Sequence, residues 1–193
     1  MMDEYEQTKH QILVSGNVRV LKPWEIRMIL SVIPKNDYRT IFKALLYSGM
    51  RYIEMQRLQE NTKWFNGSCI HLSKEAMRKK KMKLKERDVH LSPVGREVIS
   101  AFISINTKVP KYSAWTEDLV RWATKAGLDT RFLGPKTTRK TYESFLISYY
   151  PEKTLKIAQS QGHTTDTALE HYLNLNFSEQ DIKDMKDFVE GWN

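Results

Sequence analysis

Cysteine is almost absent from this 193-residue chain, with Cys69 standing alone. One thiol cannot close an internal disulfide or supply a Cys-rich zinc site, and no metal or cofactor is expected. Long apolar runs are missing too. The longest are short, such as Phe42 to Tyr47 with Lys43 inside it, so no membrane span is predicted. The first residues read Met-Met-Asp-Glu-Tyr-Glu with no apolar stretch behind them, so no secretory signal is expected and an intracellular protein is. Internal repeats and low-complexity segments are also lacking. Acidic residues are the minority charge, 23 against 31 Lys and Arg, which leaves a net charge of +8.

What is present is a periodic chain with 40% hydrophobic residues, long enough to bury a real core. Its charge is uneven. Between Lys74 and Arg87 eight cations (Lys74, Arg78, Lys79, Lys80, Lys81, Lys83, Lys85, Arg87) face two anions, Glu75 and Glu86. From Asn176 to Asn193 five acids face two lysines. A basic patch and an acidic end suit a phosphate-bearing partner at one place and a protein contact at another. Taken alone, the basic window could equally be a solvated lysine loop.

Residues 1–20 show no clear periodicity and read as an arm or lead-in to a unit spanning 21–193. Pro23 and Glu25 open a helix with Trp24, Met28, Ile29 and Val32 on its apolar face, and Pro34 ends it. A second helix covers about 37–48 with Gly49 at its end, and a third about 51–58. Lys63-Trp64-Phe65, the Asn66-Gly67 turn and Ser68 to Leu72 read as a hairpin. A further strand, about 84–91, alternates Arg87, Val89 and Leu91 against Glu86, Asp88 and His90, which puts the lysine-rich segment at a turn tip. Helices then cover about 93–104, 115–125, 136–149, 152–161, 164–173 and 178–192. The last carries Ile182, Met185, Phe188, Val189 and Trp192 on one broad face, suited to packing on its own domain or on a neighbouring protomer. The expected fold is mainly α with a small antiparallel β-sheet (α+β).

Four motifs stand in order along this scaffold: Ser48-Gly49-Met50-Arg51-Tyr52-Ile53-Glu54; the basic hairpin ending Lys85-Glu86-Arg87-Asp88-Val89-His90-Leu91; Lys136-Thr137-Thr138-Arg139; and Gly162-His163 with Tyr172 nine residues after the histidine. Each alone has an ordinary structural explanation. Together they resemble the catalytic domain of the tyrosine recombinase (phage integrase) family. The third and fourth, with Tyr-Pro-Glu-Lys-Thr-Leu between them, look most like integrases of archaeal viruses.

The resemblance implies a catalytic-domain-like fold and an enzyme that cleaves and rejoins double-stranded DNA through a 3′-phosphotyrosyl intermediate, without metal or ATP. Alternatives are a type IB topoisomerase-like nicking-closing enzyme and a non-catalytic DNA-binding relative. It implies that Arg51 and Arg139 clamp the non-bridging phosphate oxygens, where always-charged, fork-shaped guanidiniums stabilise developing charge. Tyr172 is the implied nucleophile, and its phenol, with a reference pKa of about 10, needs nearby cations or a base. His163 matches the position that hydrogen-bonds the phosphate, with Gly162 turning the backbone. Lys136 stands where most family members have histidine, so electrostatic help fits it better than base catalysis. The hairpin lysine that protonates the leaving oxygen falls at Lys83 or Lys81, with Lys83 preferred. Lys79, Lys80, Lys81, Lys85 and Arg87 are expected to face DNA, and Glu54 to orient Arg51. Self-association on DNA, as a dimer or tetramer, is implied as well.

Overall fold

The computed structural model describes residues 11–73, 86–164 and 175–193. Tyr172, Lys79, Lys80, Lys81, Lys83 and Lys85, together with the helix expected over 164–173, lie outside the described residues apart from Thr164. In chain order the elements are β1 (Leu13–Ser15), β2 (Val18–Val20), α1 (Pro23–Val32), α2 (Asn36–Ser48), α3 (Tyr52–Glu60), β3 (Cys69–Leu72), β4 (Arg87–His90), α4 (Pro93–Ser104), α5 (Tyr112–Lys125), α6 (Thr137–Tyr149), α7 (Thr154–Gln161) and α8 (Glu179–Val189). Single 3-10 turns cover Thr62–Trp64 and Pro151–Lys153.

The helical expectations hold to within a few residues, and the reasons are local. Ser92 caps α4 by accepting from the Gly95 N–H, with Pro93 at the first position. Ser178 caps α8 in the same way from Asp181. Gly49 closes α2 in a left-handed conformation, its N–H donating to the Leu45 and Leu46 carbonyls.

Three expectations change. The sheet is not single: β1 pairs antiparallel with β2, and β3 separately with β4. The lead-in is not loose from residue 13 onward, since Leu13, Val20 and Leu21 are buried and the Leu21 N–H donates to Thr141 Oγ1 on α6. Gly16-Asn17 at the two-residue turn was its sequence signal. On α1 the buried face is Ile26 and Ile29 rather than Trp24, Met28 and Val32, with Met28 exposed. Glu25 is buried there against Arg19, which rotates the helix away from its most obvious apolar stripe.

The core runs between α2, α4, α6 and α8, where Phe42, Leu45, Phe102, Tyr142, Phe145 and Phe188 are buried together. The apolar face of α8 packs on its own domain. Met185, Phe188, Val189 and Trp192 are buried while Ile182 remains exposed, and the Trp192 indole donates to the His90 carbonyl. Each such side chain contributes about 1.5–3 kcal/mol on burial, enough to hold the helix in place and so keep β4 and α6 in a fixed relation.

Candidate phosphate-clamping site

Two tight turns bring the motifs together. One follows α2 at Gly49, and the other follows α7 at Gly162. Gly162 has φ of 74°, and a Cβ on it would lie 2.9 Å from the Cδ of Arg87. Gly49 has φ of 61°, and a Cβ there would meet the Gln161 side chain at 2.8 Å. Both positions therefore need glycine for conformation and for space.

Arg139 lies buried on the first turns of α6. Its Nη1 donates to the Gly49 carbonyl at 2.7 Å, and its Nη2 donates to the Gln161 carbonyl. One guanidinium thus ties the two turns together, and each terminal nitrogen retains a second N–H. Burial lowers its pKa to about 10, with Glu143 opposing the shift and Arg51 adding to it, so it stays charged at neutral pH.

Arg51 precedes α3, and its side chain is one-third exposed. Its Nη1 donates to Glu54 Oε1 at 2.9 Å, and its Nη2 to the Gly162 carbonyl at 3.2 Å. Glu54 also accepts the Arg51 backbone N–H at 2.9 Å, which fixes both the helix start and the arginine. Burial pushes the Glu54 carboxyl pKa up, but the guanidiniums of Arg87, Arg51 and Arg139 outweigh it and hold it below the usual range.

Arg87 differs from the sequence expectation. It is buried, with Nη2 donating to Glu54 Oε2 at 2.8 Å and Nε to the Ser160 carbonyl at 3.0 Å. The period-two alternation that put it on the Val89 face was right, but that face points into the protein, so Arg87 supports Glu54 and the Gly162 turn instead of facing DNA. Ser160 reinforces the junction, its Oγ accepting from the His90 N–H.

His163 follows the glycine and forms an ion pair through Nε2 with Glu143 on α6. Glu143, fully buried one turn past Arg139, does not stand out in the sequence. The i, i+4 spacing on the same helix face was its signal. Lys136 stands at the N-cap position of α6 and is exposed. Lys140 is the half-buried lysine of this helix. Burial lowers its pKa, Glu143 opposes this, and Arg139 and Lys136 add to it. Tyr142 on α6 is fully buried with its pKa pushed up by burial, and the Tyr150 hydroxyl donates to the Val189 carbonyl.

Arg51 and Arg139 meet around the 161–162 backbone next to His163, where their remaining N–H groups can bind an anion. An open cavity of about 670 Å³ lies alongside, bordered by Glu86, Arg87, Asp88, His90, Lys156 and His163. Among the described residues no three His, Cys, Asp or Glu side chains gather as a metal site, and no helix is long and apolar enough to cross a membrane.

No protein-family model matches the chain, and no curated protein matches it. Among solved structures it is similar to XerA recombinase, with a TM-score of 0.62 at 15% identity, covering 89% of this chain. The chain spans 65% of that protein's length. At this identity the likeness is one of fold. It bears out the mainly helical, tyrosine recombinase catalytic-domain-like architecture expected from the motifs.

Proposed function

We propose that this protein is a tyrosine recombinase that cleaves and rejoins double-stranded DNA through a 3′-phosphotyrosyl link. The observation that carries the reading is the meeting of Arg51 and Arg139, from separate helices, at the backbone immediately before His163. In this reading the two guanidiniums hold the non-bridging oxygens of the scissile phosphate and stabilise the charge that develops there. His163 adds a third hydrogen bond. Tyr172 attacks phosphorus, giving up its phenol proton to water, and its oxygen replaces the leaving 5′-oxygen, which takes a proton from Lys83 or Lys81. Because the phosphotyrosyl bond conserves the energy of the broken bond, rejoining needs no ATP. Lys136 contributes positive charge at the start of α6.

Lys79, Lys80, Lys81 and Lys85 contact the DNA backbone, so affinity falls steeply with salt. Residues 21–193 form the catalytic unit, the protein acts inside the cell where DNA is, and copies associate on DNA as a dimer or tetramer. The archaeal-virus integrase resemblance extends this reading to insertion of a viral genome.

The test is a nicked suicide duplex whose cleaved end diffuses away. Wild-type protein is expected to accumulate a covalent adduct on denaturing gels, and Tyr172→Phe none. An adduct that persists in Tyr172→Phe sinks the assignment of the nucleophile. DNA binding by wild type with no adduct indicates a non-catalytic binder, and supercoil relaxation by a monomer indicates a topoisomerase-like enzyme.

A further inference from the structure

We infer that Glu143 is a positioning residue that holds His163 by Nε2 and so selects Nδ1 as the nitrogen offered to the cleft. Glu143 lies outside every motif that marks the site. It is fully buried on α6, one turn past Arg139, and forms an ion pair with His163 Nε2. A carboxylate is rarely buried without a compensating charge. Three groups serve it here: the imidazole, the Arg139 guanidinium and the Lys140 ammonium, the last two held up in pKa by Glu143.

The ring nitrogens of an imidazole point in different directions and play different roles. With Nε2 turned toward a buried carboxylate, the ring proton belongs on Nε2, which leaves Nδ1 as the ring's other polar atom. Nδ1 lies 3.5 Å from the Thr164 carbonyl, a long contact that a ligand can displace. His163 is mostly covered, with 17% of its side chain exposed, which limits the ring's ability to flip.

The purpose assigned to this pair rests on the proposed recombinase reading. In that reading the ring edge that Glu143 leaves uncovered is the one that meets the phosphate. Because the same carboxylate acts on Arg139, one helical turn sets both anion-binding groups.

The experiment is nuclear magnetic resonance of the whole chain with ¹⁵N-labelled histidine, His163 being assigned by loss of its signals in His163→Gln. Wild type is expected to carry its ring proton on Nε2, with slow exchange. In Glu143→Met, which removes the acceptor at similar volume, that exchange should quicken about tenfold or more. Glu143→Gln, which keeps shape but not charge, should lower the yield of covalent DNA adduct about tenfold or more with DNA affinity within about twofold. A wild-type His163 with bare Nε2 and protonated Nδ1 overturns the inference by itself, whether or not the variants fold. So does a His163 spectrum unchanged in a folded Glu143→Met. If His163 behaves as expected but wild-type protein never forms an adduct, the Glu143–His163 pairing stands and the recombinase reading falls.

Discussion

Two buried clusters in this molecule pair arginine with glutamate, and they differ in charge balance. Near the first hairpin, Arg19 meets Glu25, whose second oxygen accepts the Lys22 backbone N–H at 2.8 Å. The buried Lys22 ammonium has Asp181 as a second nearby carboxylate. Each cation there is matched by an acid, and Arg19 Nε and Nη1 have no hydrogen-bond partner among the described residues. This cluster joins β2 to α1 and has no spare charge. At the Gly162 turn, Arg51, Arg87 and Arg139 surround Glu54 and Glu143, so three guanidiniums face two carboxylates before His163 and Lys140 are counted. Arg87 and Arg139 are buried, whereas Arg51 is one-third exposed, so the surplus guanidinium is the one an anion from solvent can reach. The balanced cluster therefore reads as architecture, and the unbalanced one is where the proposed function puts the phosphate.

The strongest way to break this comparison is to remove one arginine from each cluster. Arg139→Ala and Arg19→Ala should each cost about 3–5 kcal/mol in urea denaturation, because the first strips the buried Gly49 and Gln161 carbonyls of their donor and the second abandons the buried Glu25 carboxylate. Only Arg139→Ala should also lower adduct yield, by about 100-fold or more. Equal loss of adduct from a folded Arg19→Ala would erase the distinction.

A smaller effect separates the two glycine turns. Gly16 has φ of 61° with nothing within 4 Å of where a Cβ would stand, whereas Gly162 combines φ of 74° with contact to Arg87. Gly16→Ala should therefore cost about 1 kcal/mol from conformation alone. Gly162→Ala should cost about 2–3 kcal/mol and slow adduct formation as well. Thermal unfolding with parallel cleavage assays checks both.

The gentlest probe is pH. The Glu54 carboxyl is held below its ordinary value of 4.5 in the fold. Its contribution to stability is therefore complete above that unfolded value and is lost as pH falls through the lower folded one. Glu54→Gln should flatten the acid limb of a stability curve below about pH 4.5. An unchanged acid limb would mean that Glu54 does not carry the charge balance described here.

Much of this arrangement is legible in the amino-acid string. The helices announce themselves by period and cap, as with Ser92-Pro93 and Gly49, because such signals act over a few neighbouring residues. Arg51, Arg139 and His163 can be named because their motifs are local strings. Arg87 and Glu143 show where that legibility stops. The alternation of β4 puts Arg87 with Val89, yet nothing in the string says that this face turns toward Glu54 and the Ser160 carbonyl. Glu143 looks like an ordinary helix charge until α7 delivers His163 to it.

By itself the sequence determined the order of the described helices, the two glycines that end α2 and α7, and the residue types capable of holding a phosphate. These follow from local sterics, periodicity and side-chain chemistry. Only the tertiary structure decided which charges are buried, that Arg139 ties the two turns together, and that three guanidiniums share two carboxylates. Those outcomes depend on contacts between residues 22 to 111 positions apart, which packing of the helices brings together and no local pattern encodes.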